Sequence, residues 1–178
     1  VKLNSDGTFV TYEYYSGEWD LCDTGTWEYK NGKIYTSHEG VKTIGEGAFY
    51  ACARLDTLAL PAGLISIGSE AFQECATIRR VIIPNSVTHI GESAFSDCQL
   101  LQHVTLPNNL TTLERSVFED CVSLRTIDVP NGLTSIKGLA FSNCPSLVSL
   151  TIPQTVTSID VNALAYCYFA YSNLINNS

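Results

Sequence analysis

The 178-residue chain predicts an α/β solenoid, a right-handed superhelix with a parallel β-sheet on its concave side and short helical turns on its convex side. Three observations predict it. Cys52, Cys75, Cys98, Cys121, Cys144 and Cys167 recur at an unvarying interval of 23 residues. Apolar residues hold columns at that same interval, and a proline closes an alternating apolar pair in each of five rows. A fixed period of this length marks a stacked array, in which no unit buries its apolar face alone.

Set in rows of 23 from Val41, the chain gives six units over residues 41–178. Ile44, Ile67, Ile90, Leu113, Ile136 and Ile159 form one column, and Phe49, Phe72, Phe95, Phe118, Phe141 and Leu164 another. Leu55, Ile78, Leu101, Leu124 and Leu147 follow each Cys by three residues. The pairs Leu58/Leu60, Val81/Ile83, Val104/Leu106, Ile127/Val129 and Leu150/Ile152 alternate with period two, so each is expected to lie on a strand with one face inward. Pro61, Pro84, Pro107, Pro130 and Pro153 come next and end the pairing, because proline has no amide to donate. The A-F-x-x-C-x-x-L stretch spaces apolar residues by three, which suits one turn of α- or 3₁₀-helix. Glu46, Ser69, Glu92, Glu114 and Asp160 precede it where a helix N-terminus would need acceptors; Lys137-Gly138 is the exception. The last unit diverges, with Ala170 and Asn173 at apolar columns and Tyr166, Tyr168, Phe169 and Tyr171 nearby, as expected of a terminal cap.

The pattern I-G-x-x-A-F-x-x-C-x-x-L-x-x-[IV]-x-[IL]-P, clearest from Ile90 to Ile136, resembles the BspA-like class of leucine-rich repeats of bacterial surface proteins. The resemblance covers residues 41 to about 167. It implies a secreted or surface-anchored protein, often an adhesin contacting host extracellular matrix proteins such as fibronectin or fibrinogen. The asparagine ladder of other leucine-rich repeats is absent; Asn85, Asn108 and Asn131 follow proline instead.

Residues 1–40 stand outside the period. Asp6-Gly7 and Asn31-Gly32 are hairpin signals, the second between Thr26–Lys30 and Lys33–Thr36, and Thr8–Tyr15 is aromatic and β-branched enough for a third strand. An antiparallel β-meander capping the open end of the array is expected here. L-x-x-D-G-T-F and G-T-W-x-Y also resemble strands of small lipocalin-like domains, so an independent domain is the other reading.

Composition narrows the function. A net charge of −8 disfavours nucleic acid, which asks for clustered Lys and Arg. No apolar run reaches the roughly 18 residues of a membrane helix. The chain begins at Val1 with no leader pattern, as a processed or excised protein would. The ladder cysteines all point into the core, so they are expected to be free, buried and packed, with neither disulfides nor zinc among them. Cys22 lies outside the ladder. His38, His89 and His103 are scattered, and no nucleophile, base and acid come together in sequence, so no catalytic residue, metal or cofactor is expected. Asn109-Leu110-Thr111 and Asn176-Asn177-Ser178 match the glycosylation acceptor pattern, relevant only in a eukaryotic secretory route.

The outward positions of the strands are the candidate binding surface. They place Arg79, Arg80, Ile82, His103, Thr105, Arg125, Thr126 and Asp128 on one face, gathering three of the chain's ten basic residues and an exposed apolar side chain. A cationic patch of this kind suits an acidic protein partner, though a plain solvated β-face would read the same way. Two functions remain open: a monomeric protein-binding module or adhesin at the cell surface, and a structural spacer in a larger surface protein. Carbohydrate binding is disfavoured, because these columns carry no aromatic platform.

Overall fold

The computed structural model describes residues 2–3, 9–10, 27–30, 33–36, 42–53 and 55–168. Near the N-terminus, β1 (Lys2–Leu3) pairs antiparallel with β2 (Phe9–Val10), and β3 (Trp27–Lys30) with β4 (Lys33–Thr36). The strands expected on either side of Asn31-Gly32 are thus present and paired, while those two residues themselves lie outside the described residues. The two pairs are separate two-stranded sheets, and most of the expected third strand lies outside the described residues.

From residue 42 the chain winds as a parallel β-solenoid. Each coil contributes to two strand columns, where the sequence had suggested one. The first column holds β5 (Thr43–Ile44), β6 (Ser66–Ile67), β8 (His89–Ile90), β10 (Thr112–Leu113), β12 (Ser135–Ile136) and β13 (Ser158–Ile159). The second holds β7 (Arg80–Ile82), β9 (His103–Thr105) and β11 (Thr126–Asp128), with single bridge residues at Thr57 and Leu150 in the flanking coils. All solenoid pairs are parallel and in register at the 23-residue period, as in Arg80 with His103 and His103 with Thr126. After each proline the chain turns: the amides of Leu64, Val87, Leu110, Leu133 and Val156 donate to the carbonyls of Pro61, Pro84, Pro107, Pro130 and Pro153.

The expected convex helical turns are corrected: among the described residues there is no helix. The A-F-x-x-C stretch is a run of tight turns whose amides alternate between two kinds of acceptor. The amides of Glu70, Phe72 and Glu74 donate to Glu92, Ala94 and Ser96 in the next coil, at 2.8–2.9 Å. Between them, those of Gln73 and Cys75 donate to the carbonyls of Glu70 and Phe72, three residues back in their own coil. Every fourth residue takes a left-handed conformation, including Glu70, Glu74, Ser93, Asp97, Ser116 and Asp120. A helix would need each amide to turn back to its own coil and every φ to be negative. The acids before this segment therefore cap no helix; the neighbouring coil supplies the acceptors.

The core is a set of parallel columns. Phe49, Phe72, Phe95, Phe118 and Phe141 stack nearly parallel, with centroid distances of 5.2, 5.2, 5.8 and 5.8 Å along the series. The step from 5.2 to 5.8 Å coincides with the end of a glycine column. Gly45, Gly68 and Gly91 are followed at the same register by Glu114 and Lys137. A Cβ on Gly68 would stand 2.6 Å from the Glu46 amide nitrogen, so the first three coils approach more closely than any side chain there would allow. The first strand column breaks at the same place: β5, β6 and β8 form one sheet and β10, β12 and β13 another.

The cysteine column accounts for its residue type. The thiols of Cys75, Cys98, Cys121, Cys144 and Cys167 donate to the carbonyls of Phe49, Phe72, Phe95, Phe118 and Phe141 in the preceding coil, at 3.0–3.2 Å. These five are free. Burial pushes the Cys75 thiol up to about 12 and those of Cys98 and Cys121 well above their ordinary value, so the buried thiols are protonated and unreactive. One expectation fails here: Cys52, in the first coil, is disulfide-bonded.

Candidate binding face

The second strand column decides which side chains face out. Val81, Val104 and Ile127 at the strand centres are buried, and Ile83 and Leu106 behind them are buried as well. Alternation then turns their neighbours to solvent. Arg79, Arg80, His103, Arg125, Thr126 and Asp128 are exposed, Thr105 is half-buried, and Ile82 retains 55% of its surface. Six of the eight expected residues therefore flank the buried strand centres on one face, and Arg79 and Arg125 stand exposed immediately before β7 and β11. In-register pairing arranges them in rows across the coils: Arg80, His103 and Thr126 in one, and Ile82, Thr105 and Asp128 in the next. The His103 Nδ1 lies 2.7 Å from the Thr126 hydroxyl, a hydrogen bond between neighbouring coils of that row.

Val148, 62% exposed, continues the row of Arg79, Gln102 and Arg125 and adds a second apolar element that sequence reasoning left out of the site. Its signal was available, since it sits 23 residues after Arg125. Among the described residues no carboxylate pairs with Arg79, Arg80 or Arg125, so the face keeps its positive charge in a chain of net −8. Any binding there would rest on area and charge.

The turn side has the opposite character. Glu74, Asp97 and Asp120 stack in successive coils; the Tyr50 hydroxyl donates to Glu74, and the Asn143 amide donates to Asp120 at 2.6 Å. Burial, and then the nearby Asp120 charge, raise the Asp97 carboxyl above its usual range. Ionised Asp97 therefore opposes folding at neutral pH, and that opposition fades as pH falls through its raised pKa. An open cleft of about 460 Å³, lined by Glu92, Glu114, Arg115, Lys137, Gly138, Asp160 and Val161, lies where the glycine column has ended. Its mixed charges form no metal-binding group, and among the described residues no cluster of three His, Cys, Asp or Glu could hold a metal.

The comparisons agree with this architecture. The model of the BspA type leucine-rich repeat region matches six copies over residues 37–171. The chain belongs to that family. Such repeats are typically non-catalytic protein-interaction modules, and no described helix is long and apolar enough to cross a membrane. Among solved structures, a leucine-rich cell surface protein of Faecalibacterium prausnitzii is 32% identical with a TM-score of 0.60, covering 79% of this chain and 35% of its own. A leucine-rich repeat protein of Bacteroides ovatus is 30% identical with a TM-score of 0.55, covering 68% and 37%. A leucine-rich repeat protein of T. pallidum, 23% identical with a TM-score of 0.70 over 85% and 91%, shares the fold. The chain thus spans about a third of the first two proteins. No curated protein sequence matches it.

Proposed function

We propose that this chain is a non-catalytic, monomeric binding module of a secreted or cell-surface protein, and that it holds an extracellular protein partner through the strand face. One observation carries the reading: core and surface positions separate cleanly on β7, β9 and β11. The inward column is wholly apolar, while the outward rows offer uncompensated arginines beside exposed Ile82. Arginine and large apolar side chains dominate binding energy where they meet a partner, and cationic rows select an acidic one. The cell-surface description of the F. prausnitzii relative supports the location.

A panel of immobilised matrix proteins, fibronectin and fibrinogen included, tests this. Saturable binding to at least one member is expected, weakening as salt is raised because exposed charges are screened. Absence of binding across the panel would overturn the adhesion reading in favour of a spacer within a longer array.

A further inference from the structure

Each proline that ends a strand row opens the same turn, and the two residues inside that turn differ from coil to coil. They are Ala62-Gly63, Asn85-Ser86, Asn108-Asn109, Asn131-Gly132 and Gln154-Thr155. Asparagine suits such a turn, but the residue after it decides its chemistry. The carboxamide carbon of an asparagine lies within reach of the next residue's amide nitrogen, and a side chain on that residue screens the approach. Ser86 and Asn109 carry one; Gly132 carries none. Asn85 is restrained as well, since its Oδ1 accepts from the Asn108 amide at 3.0 Å. Asn131 and Gly132 are both exposed, and neither the Asn131 carboxamide nor the Gly132 amide has a hydrogen bond among the described residues. The Thr155 hydroxyl donates to the Asn131 main-chain carbonyl at 2.8 Å. That bond draws electron density from the peptide link to Gly132 and makes its N–H a better acid.

We propose that Asn131-Gly132 is a site of spontaneous deamidation, a modification that needs no enzyme and no cofactor. Base removes the Gly132 amide proton, and the nitrogen attacks the side-chain carbonyl carbon of Asn131. The carbon–nitrogen bond of the carboxamide breaks, a proton returns to the leaving nitrogen, and ammonia departs from a five-membered succinimide. Water then opens the ring. Attack at the side-chain carbonyl yields aspartate; attack at the main-chain carbonyl yields isoaspartate, whose backbone runs through Cβ. One water is consumed on either route, and the new carboxyl gives its proton to the ammonia, so a neutral amide becomes a carboxylate. An exposed turn opens locally at little cost in free energy, so the approach for ring closure is reached from the folded chain. The consequence is structural. The isoaspartyl form adds one carbon to a turn that the Leu133 amide closes on the Pro130 carbonyl at 3.1 Å and that Thr155 of the next coil braces. Leu133 is fully buried, so the longer main chain must shift it or break one of these bonds. Ageing therefore loosens the array where β11 leads into β12.

The test ages the whole, folded chain in mildly alkaline buffer at body temperature, with digestion and mass spectrometry of samples taken at intervals. The peptide spanning Asn131 should gain the mass of an amide converted to an acid, and part of it should accept methyl groups from an isoaspartyl methyltransferase. Asn85 and Asn108 should keep their amides over the same time, and conversion at Asn131 should quicken as pH rises. Asn131→Gln places there the residue that Gln154 supplies one coil later, so the variant should fold as the parent does. The aged parent should melt below the fresh protein, while aged Asn131→Gln keeps its melting temperature. That variant retains Asn31-Gly32, which lies outside the described residues, and so separates any change there from the effect of Asn131. Fresh Asn131→Asp adds only the charge at an exposed position and should melt within a few degrees of the parent. An Asn131 amide that outlasts those of Asn85 or Asn108, a rate indifferent to pH, or an equal fall in aged Asn131→Gln would each overturn the proposal.

Discussion

Replacing Phe95 with Ala is expected to lower the stability of the array by about 3–5 kcal/mol. Phe95 is fully buried at the middle of the spine, stacked at 5.2 Å on Phe72 and at 5.8 Å on Phe118. The substitution removes the ring's transfer free energy, leaves a cavity that coils held by backbone hydrogen bonds on both sides cannot close, and breaks two aromatic contacts at once. In a solenoid each coil touches only its neighbours, so a defect in a central coil weakens two interfaces, where one at an end weakens a single interface. Urea unfolding of the variant beside the parent measures the difference. A loss below about 1 kcal/mol, outside the usual range for a buried aromatic, would show that the phenylalanine column does not hold the coils together.

Gly91→Ala is expected to cost about 1–3 kcal/mol although it adds one methyl group. The new Cβ would meet the backbone of the coil below, 2.7 Å from the Gly68 carbonyl carbon, and a backbone atom cannot rotate out of the way. The coils would have to part toward the wider spacing found after Phe95. Gly63→Ala is the control: nothing lies within 4 Å of its added Cβ, so the change should be neutral or slightly stabilising, because alanine restricts the unfolded chain. Equal effects at the two positions, read by thermal unfolding, would contradict the account of the glycine column.

The columns of Phe, Cys, Ile and Pro were legible because a 23-residue period repeats each packing position, and repetition averages away local noise. The turn side was not, and the reason is physical. A-F-x-x-C places apolar residues three apart, a spacing equally compatible with one helical turn and with a ladder of turns bonded to the next coil. What separates them is the left-handed backbone at Glu74, Asp97, Asp120 and Asn143. Three of these are Asp or Asn, the non-glycine types that accept it most readily, so the signal lay in a column that reads as ordinary polar surface. The first strand column escaped notice because two-residue strands such as Ser66–Ile67 are too short to alternate. For the binding face, the burial of Val81, Val104 and Ile127 turns Arg80, Ile82, His103, Thr105, Thr126 and Asp128 outward, as alternation leads one to expect, while Arg79 and Arg125 precede their strands and are exposed for another reason. Their role cannot be read the same way, because packing constrains inward residues and leaves outward ones free.

The central claim is that the strand face does the binding, and one comparison tests it most directly. The affinity of the matrix protein held best by the parent chain is measured for Arg80→Glu/Ile82→Ser and for Glu92→Lys, on the cleft away from that face. Both parent side chains of the double variant are exposed and outside the core, so the melting temperature should stay within a few degrees, as surface changes do. The account predicts that the double variant loses binding by about a hundredfold or more, the scale of one lost hot spot with charge reversal, while Glu92→Lys binds as the parent does. Binding that survives the double change but falls with Glu92→Lys would contradict it and move the site to the other side of the solenoid.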